Sequence, residues 1–278
     1  MGAGRERLGA RRQIGLLARR LRRHPERDHC HRQPADRPHE RDSRSASHAA
    51  PKPLSSRKSR RHVRKITSAV RKPPKSGSAA RLDGLRRQAA GCRDCPLWEN
   101  ATQTVFGEGS ARARIMLVGE QPGDVEDREG HPFVGPAGRI LAEAMEQAGI
   151  DRSRVYITNA VKHFKWEPRG KRRLHKTPAQ REIEACYQWL QGEIEAIHPA
   201  LVVALGATAA KALLGPRFRI TRSRGEVQSR EGLPDVIATY HPSFLLRTMD
   251  RPEGEEIHRQ FVDDLRIAAR HVQDDSDT

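Results

Sequence analysis

Four short apolar runs, each bounded by turn-forming residues and separated by longer segments with helical periodicity, constrain this chain more than any other feature. They are Arg114–Gly119 (RIMLVG), Val155–Thr158 (VYIT), Leu201–Leu205 (LVVAL) and Val236–Thr239 (VIAT). Runs that are apolar at successive rather than alternate positions belong to strands covered on both faces, as in a parallel sheet. The intervening segments read as helices at about 136–148, 178–197 and 207–214, with a last one at about 255–271. Gly149 is placed to close the first of these, and Thr177 with Pro178 to open the second. This alternation predicts an α/β fold, a three-layer α/β/α sandwich around a central four-stranded parallel sheet, in one domain.

The N-terminal part has a different composition. Residues 1–80 carry 23 Lys+Arg against 6 Asp+Glu, whereas the remaining 198 residues carry 29 of each, so the whole +17 excess lies in the first 80. That segment is rich in Arg, Pro and Ser and lacks aromatic residues. Ordering it would cost more conformational entropy than its few apolar groups could offset. The expected organisation is therefore a disordered basic extension (1–80), a folded domain (81–272) and an acidic tail (273–278). The extension reads either as an arm that grips phosphates without reading sequence, or as a solvated tail or sequence translated upstream of the true start. Its Arg11–Arg23 stretch resembles an organelle transit peptide, against which stand Glu6 and Glu26. No apolar run approaches the ~20 residues of a membrane span. The expectation is a soluble, cytoplasmic monomer with no membrane partner.

In an open parallel sheet, ligands bind outside the carboxyl ends of the strands, and the residues there are chemically unusual. Gly119-Glu120-Gln121-Pro122-Gly123-Asp124 follows the first run, Asn159-Ala160-Val161-Lys162-His163 the second, Gly206-Ala207-Thr208 the third and Tyr240-His241-Pro242-Ser243 the fourth. Four cysteines are present, Cys30, Cys92, Cys95 and Cys186. Their spacing, without a secretory signal, favours metal or redox chemistry over disulfides. The Cys92-x-x-Cys95 pair is shared by zinc and iron-sulfur sites and does not choose between them.

Taken together and in order, GEQPG (119–123), HPFVGPAG (131–138), TNAVKH (158–163), LGATAAKALLG (205–215) and HPS (241–243) resemble the iron-sulfur members of the uracil-DNA glycosylase superfamily, over roughly residues 85–270. Within that superfamily, Lys171-Arg172-Arg173-Leu174-His175 resembles the hallmark loop of the UdgX branch, with Leu174 where Ile is usual. The resemblance implies a uracil-DNA glycosylase fold acting on uracil-containing DNA, single strands favoured, with the target base flipped into a pocket.

The resemblance also implies roles. Asn159 would pair with O4 and N3–H of uracil, where cytosine presents a donor and a bare acceptor. Phe133 would stack on the ring. His241 would donate to uracil O2, helped by backbone N–H groups near Gln121. Glu120 and Asp124 would serve the sugar side, where positive charge develops. His175 would attack the sugar and remain bonded to it, with Glu120 orienting or deprotonating the imidazole. Arg173 would anchor the loop to phosphate or to neighbouring carboxylates, with Lys171 and Arg172 beside it as DNA contacts. A 4Fe-4S cluster on Cys92, Cys95, Cys186 and His163 is implied, with Cys30 as a competing fourth ligand. Two other readings share these residues: a turnover glycosylase that releases an abasic site, and a non-catalytic nucleic-acid-binding protein that uses this fold and its basic arm to hold single strands; the KRRLHK segment, taken alone, also reads as a plain phosphate-binding loop.

Overall fold

The structure, a computed structural model, describes residues 77–230 and 232–274. The expectations for the basic extension up to residue 76, for Cys30 and for residues 275–278 lie outside the described residues.

All four apolar runs form strands, β2 (Ile115–Gly119), β3 (Val155–Asn159), β6 (Leu201–Leu205) and β8 (Asp235–Thr239). They pair in parallel in the order β3-β2-β6-β8. Because successive side chains leave a strand on opposite faces, each strand feeds two cores. Ile115, Leu117, Ile157, Val203 and Ile237 point to one face. There they pack against α3 (Pro136–Gln147), α7 (Pro242–Thr248) and α8 (Gly254–Asp274). Met116, Val118, Tyr156, Val202 and Ala238 point to the other, against α1 (Ser78–Ala89), α4 (Gln180–Ile197) and α5 (Ala207–Leu214). The α/β/α sandwich follows from strands apolar on both faces. Among the described residues no helix is long and apolar enough to cross a membrane.

The sheet has two more strands than predicted. β1 (Glu108–Gly109) pairs antiparallel with β3, and β7 (Val227–Gln228) pairs antiparallel with β8, one on each edge. Each is two residues long, too short for a period to register in sequence, and each covers an edge that would otherwise present unpaired backbone groups. The 178–197 helix also begins later than predicted. Its cap is Ala179, whose N–H donates to Glu182 Oε2 at 2.6 Å, a contact that leaves Thr177 and Pro178 outside the helix. The segment from Trp166 to His175, which reads as a loop in sequence, is a two-stranded antiparallel hairpin of β4 (Trp166–Arg169) and β5 (Arg172–His175). Its turn is Gly170-Lys171, and Gly170 supplies the positive φ (59°) that so tight a connection needs.

The register matters most for function. Gly119 pairs with Asn159, and Leu205 with Thr239, so the four parallel strands end level and their following residues share one rim.

Candidate active site

A cavity of about 760 Å³ opens on that rim, within the size range of small-ligand sites. All four strand ends contribute to it: Glu120 and Gln121 after β2, Asn159 at the end of β3, Gly206 and Thr208 after β6, and Tyr240 and His241 after β8. His175 reaches it from the hairpin.

One side is shaped for a flat polar ring. Asn159 is buried, and its Oδ1 has no hydrogen-bond partner. An unsatisfied buried acceptor in a cavity wall is an open binding group. Phe133 lies close to it, and the two leave no room for a side chain between them. A Cβ at residue 119 would overlap Asn159 Oδ1 and stand 2.6 Å from Phe133 Cζ, so glycine is required there. Phe133 itself has φ 58°, a strained conformation that costs on the order of 1 kcal/mol or more and typically marks a functional turn. Glu126 holds this turn, accepting from Gly135 N at 2.9 Å and from Gly123 N at 3.1 Å.

The His241 ring stands 6.1 Å from that of Phe133. Its Nδ1 accepts from Ser243 N at 3.1 Å, which leaves the proton on Nε2. Burial, together with the charges of His175 and Arg247, pushes its pKa down to about 4. At neutral pH His241 is therefore an uncharged N–H donor.

The opposite side carries a carboxylate and a second imidazole. Glu120 Oε1 lies 3.4 Å from His175 Nε2, and Thr208 donates its hydroxyl to Glu120 Oε2. Burial holds the His175 pKa below the usual imidazole value, only partly opposed by Glu120 and reinforced by Arg247, which favours the neutral ring.

Several of the other expected residues are engaged by partners within the protein. Asp124, the first residue of α2 (Asp124–Glu129), does not line the cavity: it accepts from Arg173 Nε and from Arg128 at 3.2 Å. Arg173 in turn donates to the fully buried Asp127 at 2.6 Å and lies 5.4 Å from the centroids of both Phe164 and Trp166. Of its two expected partners, phosphate or carboxylates, Arg173 has the carboxylates. Gln121 is committed as well. Its Nε2 donates to Lys165 O and Lys176 O at 3.2 and 3.0 Å, and its Oε1 accepts from Lys165 N at 3.1 Å. Its amide clamps the two feet of the hairpin and is not free for a base, while Lys171 and Arg172 are exposed near the turn.

Asp127 and Glu126 are not legible in sequence as site residues, and Thr208 and Ser243 read there as rim residues without a partner of their own. Their signal is the company they keep across the fold, with partners up to 88 positions away. Lys162 belongs with them. Its buried ammonium donates to Glu193 Oε2 (2.6 Å), Thr158 Oγ1 (2.6 Å) and the backbone carbonyl of Asn159 (2.8 Å). Glu193 Oε1 is met by Tyr156 OH and Gly107 N, each at 3.0 Å. This satisfied buried network underpins the strand end that carries Asn159.

The cysteines gather away from the cavity. Cys186 is buried beside Leu97, Val161 and Ile183, with Cys95 packed against the same cluster. Its sulfur accepts from Lys162 N at 3.2 Å. Burial pushes the Cys186 thiol up to about 12, with Cys95 and Cys92 contributing in the same direction. Trp189 donates to Cys92 at 3.3 Å. His163 is buried, its Nε2 2.9 Å from Thr104 Oγ1, and burial lowers its pKa. Among the described residues no group of three or more His, Cys, Asp or Glu side chains is arranged to hold a metal ion.

Comparison with known proteins accounts for this architecture. Residues 106–266 match the family model of the uracil DNA glycosylase superfamily. The chain is 41% identical over 182 residues to a Type-4 uracil-DNA glycosylase of Thermotoga maritima, covering 65% of this chain and 89% of that protein. It is 38% identical over 173 residues to a Type-4 uracil-DNA glycosylase of Sulfurisphaera tokodaii, covering 59% and 76%. To a Type-5 uracil-DNA glycosylase of Pyrobaculum aerophilum it is 32% identical over 180 residues, covering 59% and 76%. With its strand-end motifs, three-layer fold and rim cavity, the chain belongs to the uracil-DNA glycosylase superfamily.

Proposed function

We propose that the protein excises uracil from DNA in the rim cavity and that His175 then captures the sugar. The observation that carries the second step is the placement of the His175 imidazole on the cavity wall, 3.4 Å from the Glu120 carboxylate. A flipped uracil between Phe133 and His241 would offer N3–H to the orphaned Asn159 Oδ1 and O2 to His241 Nε2–H. As the C1′–N1 bond breaks, its electron pair leaves with uracil, and the His241 donor stabilises the charge that develops there. A His175 ring nitrogen supplies its lone pair to C1′ and forms the new C–N bond. The imidazole N–H proton passes to Glu120, and the departing uracil anion is protonated on release. Because His175 is held beside the sugar, it outcompetes water through effective concentration. Single-stranded DNA as preferred substrate and a monomeric state belong to the same proposal.

A turnover glycosylase is the second reading, and the relatives' names favour it, since the most similar of those described above are Type-4 uracil-DNA glycosylases. In that case Glu120 would align a water and an abasic site would be released. Incubation with uracil-containing single-stranded DNA followed by a denaturing gel separates the two. Capture predicts an SDS- and heat-stable adduct that disappears in His175→Ala while uracil release persists. Uracil release without an adduct in the unaltered protein would establish the turnover reading.

The 4Fe-4S cluster that the resemblance implies would be held by Cys92, Cys95, Cys186 and His163. A thiolate as deeply buried as Cys186 requires a compensating cation. With His163 Nε2 against Thr104, Nδ1 is the ring nitrogen left to ligate. Such a cluster would act structurally, joining the segment after α1 to the end of β3 and to α4. Absorbance near about 400 nm with roughly four irons per chain would support it; a colourless protein with one zinc would overturn it.

A further inference from the structure

We propose that Arg217, Arg219 and Arg222 form a phosphate-binding rim that holds the DNA backbone across the cavity mouth from the hairpin. The inference rests on DNA being the substrate, not on the fate of the sugar.

The segment Pro216–Arg224 (PRFRITRSR) has four arginines and no acidic residue, in a part of the chain where residues 81–278 carry equal numbers of basic and acidic side chains. It is held in place at both ends. Phe218 N donates to Gly215 O at 3.1 Å, and the Phe218 side chain packs against one of the two cores. Gly225 N donates to Ala238 O at 3.0 Å. Arg224 turns inward, donating to Asp264 at 2.6 Å and lying 4.8 Å from the centroid of the cavity-lining Tyr240 ring. Between these anchors, the short helix α6 (Ile220–Ser223) places Ile220 in the cavity wall.

The other three arginines are exposed, and none of them pairs with a carboxylate among the described residues. Sheet order sets the geometry. The hairpin follows β3, and this segment packs on β8, at the opposite end of the parallel set. A single strand passing between the hairpin, whose His175 lines the cavity, and the Ile220 segment with its arginines therefore crosses the mouth through which its base must enter. Guanidinium groups suit this task because they bind phosphate oxygens in a fork without reading sequence.

The test is the salt dependence of binding by the full-length chain to a uracil-free single-stranded oligonucleotide. Each phosphate contact to a single strand contributes about 0.7 to the slope of log affinity against log salt. The variant R217Q/R219Q/R222Q is expected to have a slope shallower by about 2. Over a fourfold rise in salt, the unaltered protein would thus lose about 20-fold more affinity than the variant. R112Q/R152Q/R154Q removes the same charge at the amino-terminal ends of β2 and β3, away from the cavity, and is expected to keep the original slope. An unchanged slope in the first variant, or an equal drop in the second, would overturn the proposal. Failure of the glycosylase reading would show separately, as no uracil released by the unaltered protein.

Discussion

The two sides of the cavity are built by different means. Asn159, Phe133 and His241 stand on strand ends and tight turns of the sheet, supported from below by the buried Lys162–Glu193 network and by Glu126 bridging two turns. His175 arrives on a separate two-stranded ribbon whose position depends on two cross-fold anchors, the Gln121 amide and the Arg173–Asp124/Asp127 pairs. The groups proposed to read the base therefore share their support with the core of the sheet, while the imidazole depends on the anchors of the ribbon.

The largest expected effect comes from cutting into the recognition side. Asn159→Ala removes the groups proposed to read the base edge, and uracil release should fall by about 100-fold or more in single-turnover assays. A loss of less than tenfold would show that specificity lies elsewhere. Next is Lys162→Met, which strands the Glu193 carboxylate in the core. Breaking a buried pair in this way costs about 3 to 5 kcal/mol, read as a lower urea midpoint with an unchanged slope. A stability change under 1 kcal/mol, roughly one neutral hydrogen bond, would show that the network is not a support.

Gln121→Ala tests the other half of the comparison. Loss of its bonds to Lys165 and Lys176 should slow adduct formation about tenfold, a barrier change of about 1.4 kcal/mol, while uracil release and the unfolding midpoint change little. Equal losses in both steps would mean that the hairpin also shapes base binding. The smallest effect is in pH. Burial lowers the His175 pKa, so the reactive neutral ring is lost only as pH falls through a value below the ordinary imidazole 6.5. The adduct rate should rise with pH and level off with its midpoint under 6.5; a midpoint above it would show that attraction to Glu120 outweighs burial. With the His241 pKa near 4, uracil release keeps its rate from neutral pH down toward that value.

Much of the scaffold was legible. The predicted 114–119 strand is Ile115–Gly119, the predicted 207–214 helix is Ala207–Leu214, and Gly149 follows α3 as expected, because an apolar face repeating at a fixed period is a local property. The hairpin was not legible. Arg172-Arg173-Leu174-His175 has no strand-like alternation, and only pairing with Trp166–Arg169 across Gly170 makes it a strand. Nor could the sequence separate Glu120 from Asp124. The two carboxylates lie four residues apart in one turn, yet one faces His175 and the other faces Arg173.

By itself, then, the sequence determined the layered α/β architecture, the rim on which the chemistry sits and the residue types gathered there. Burial periodicity and strand-end motifs are written in neighbouring positions. Tertiary structure alone decided which partner each of those residues keeps: Gln121 with the hairpin feet, Arg173 with Asp127, Thr208 with Glu120, Lys162 with Glu193. These contacts join residues 31 to 88 positions apart, and their selection depends on which charges and hydrogen bonds must be satisfied once the sheet has closed around them.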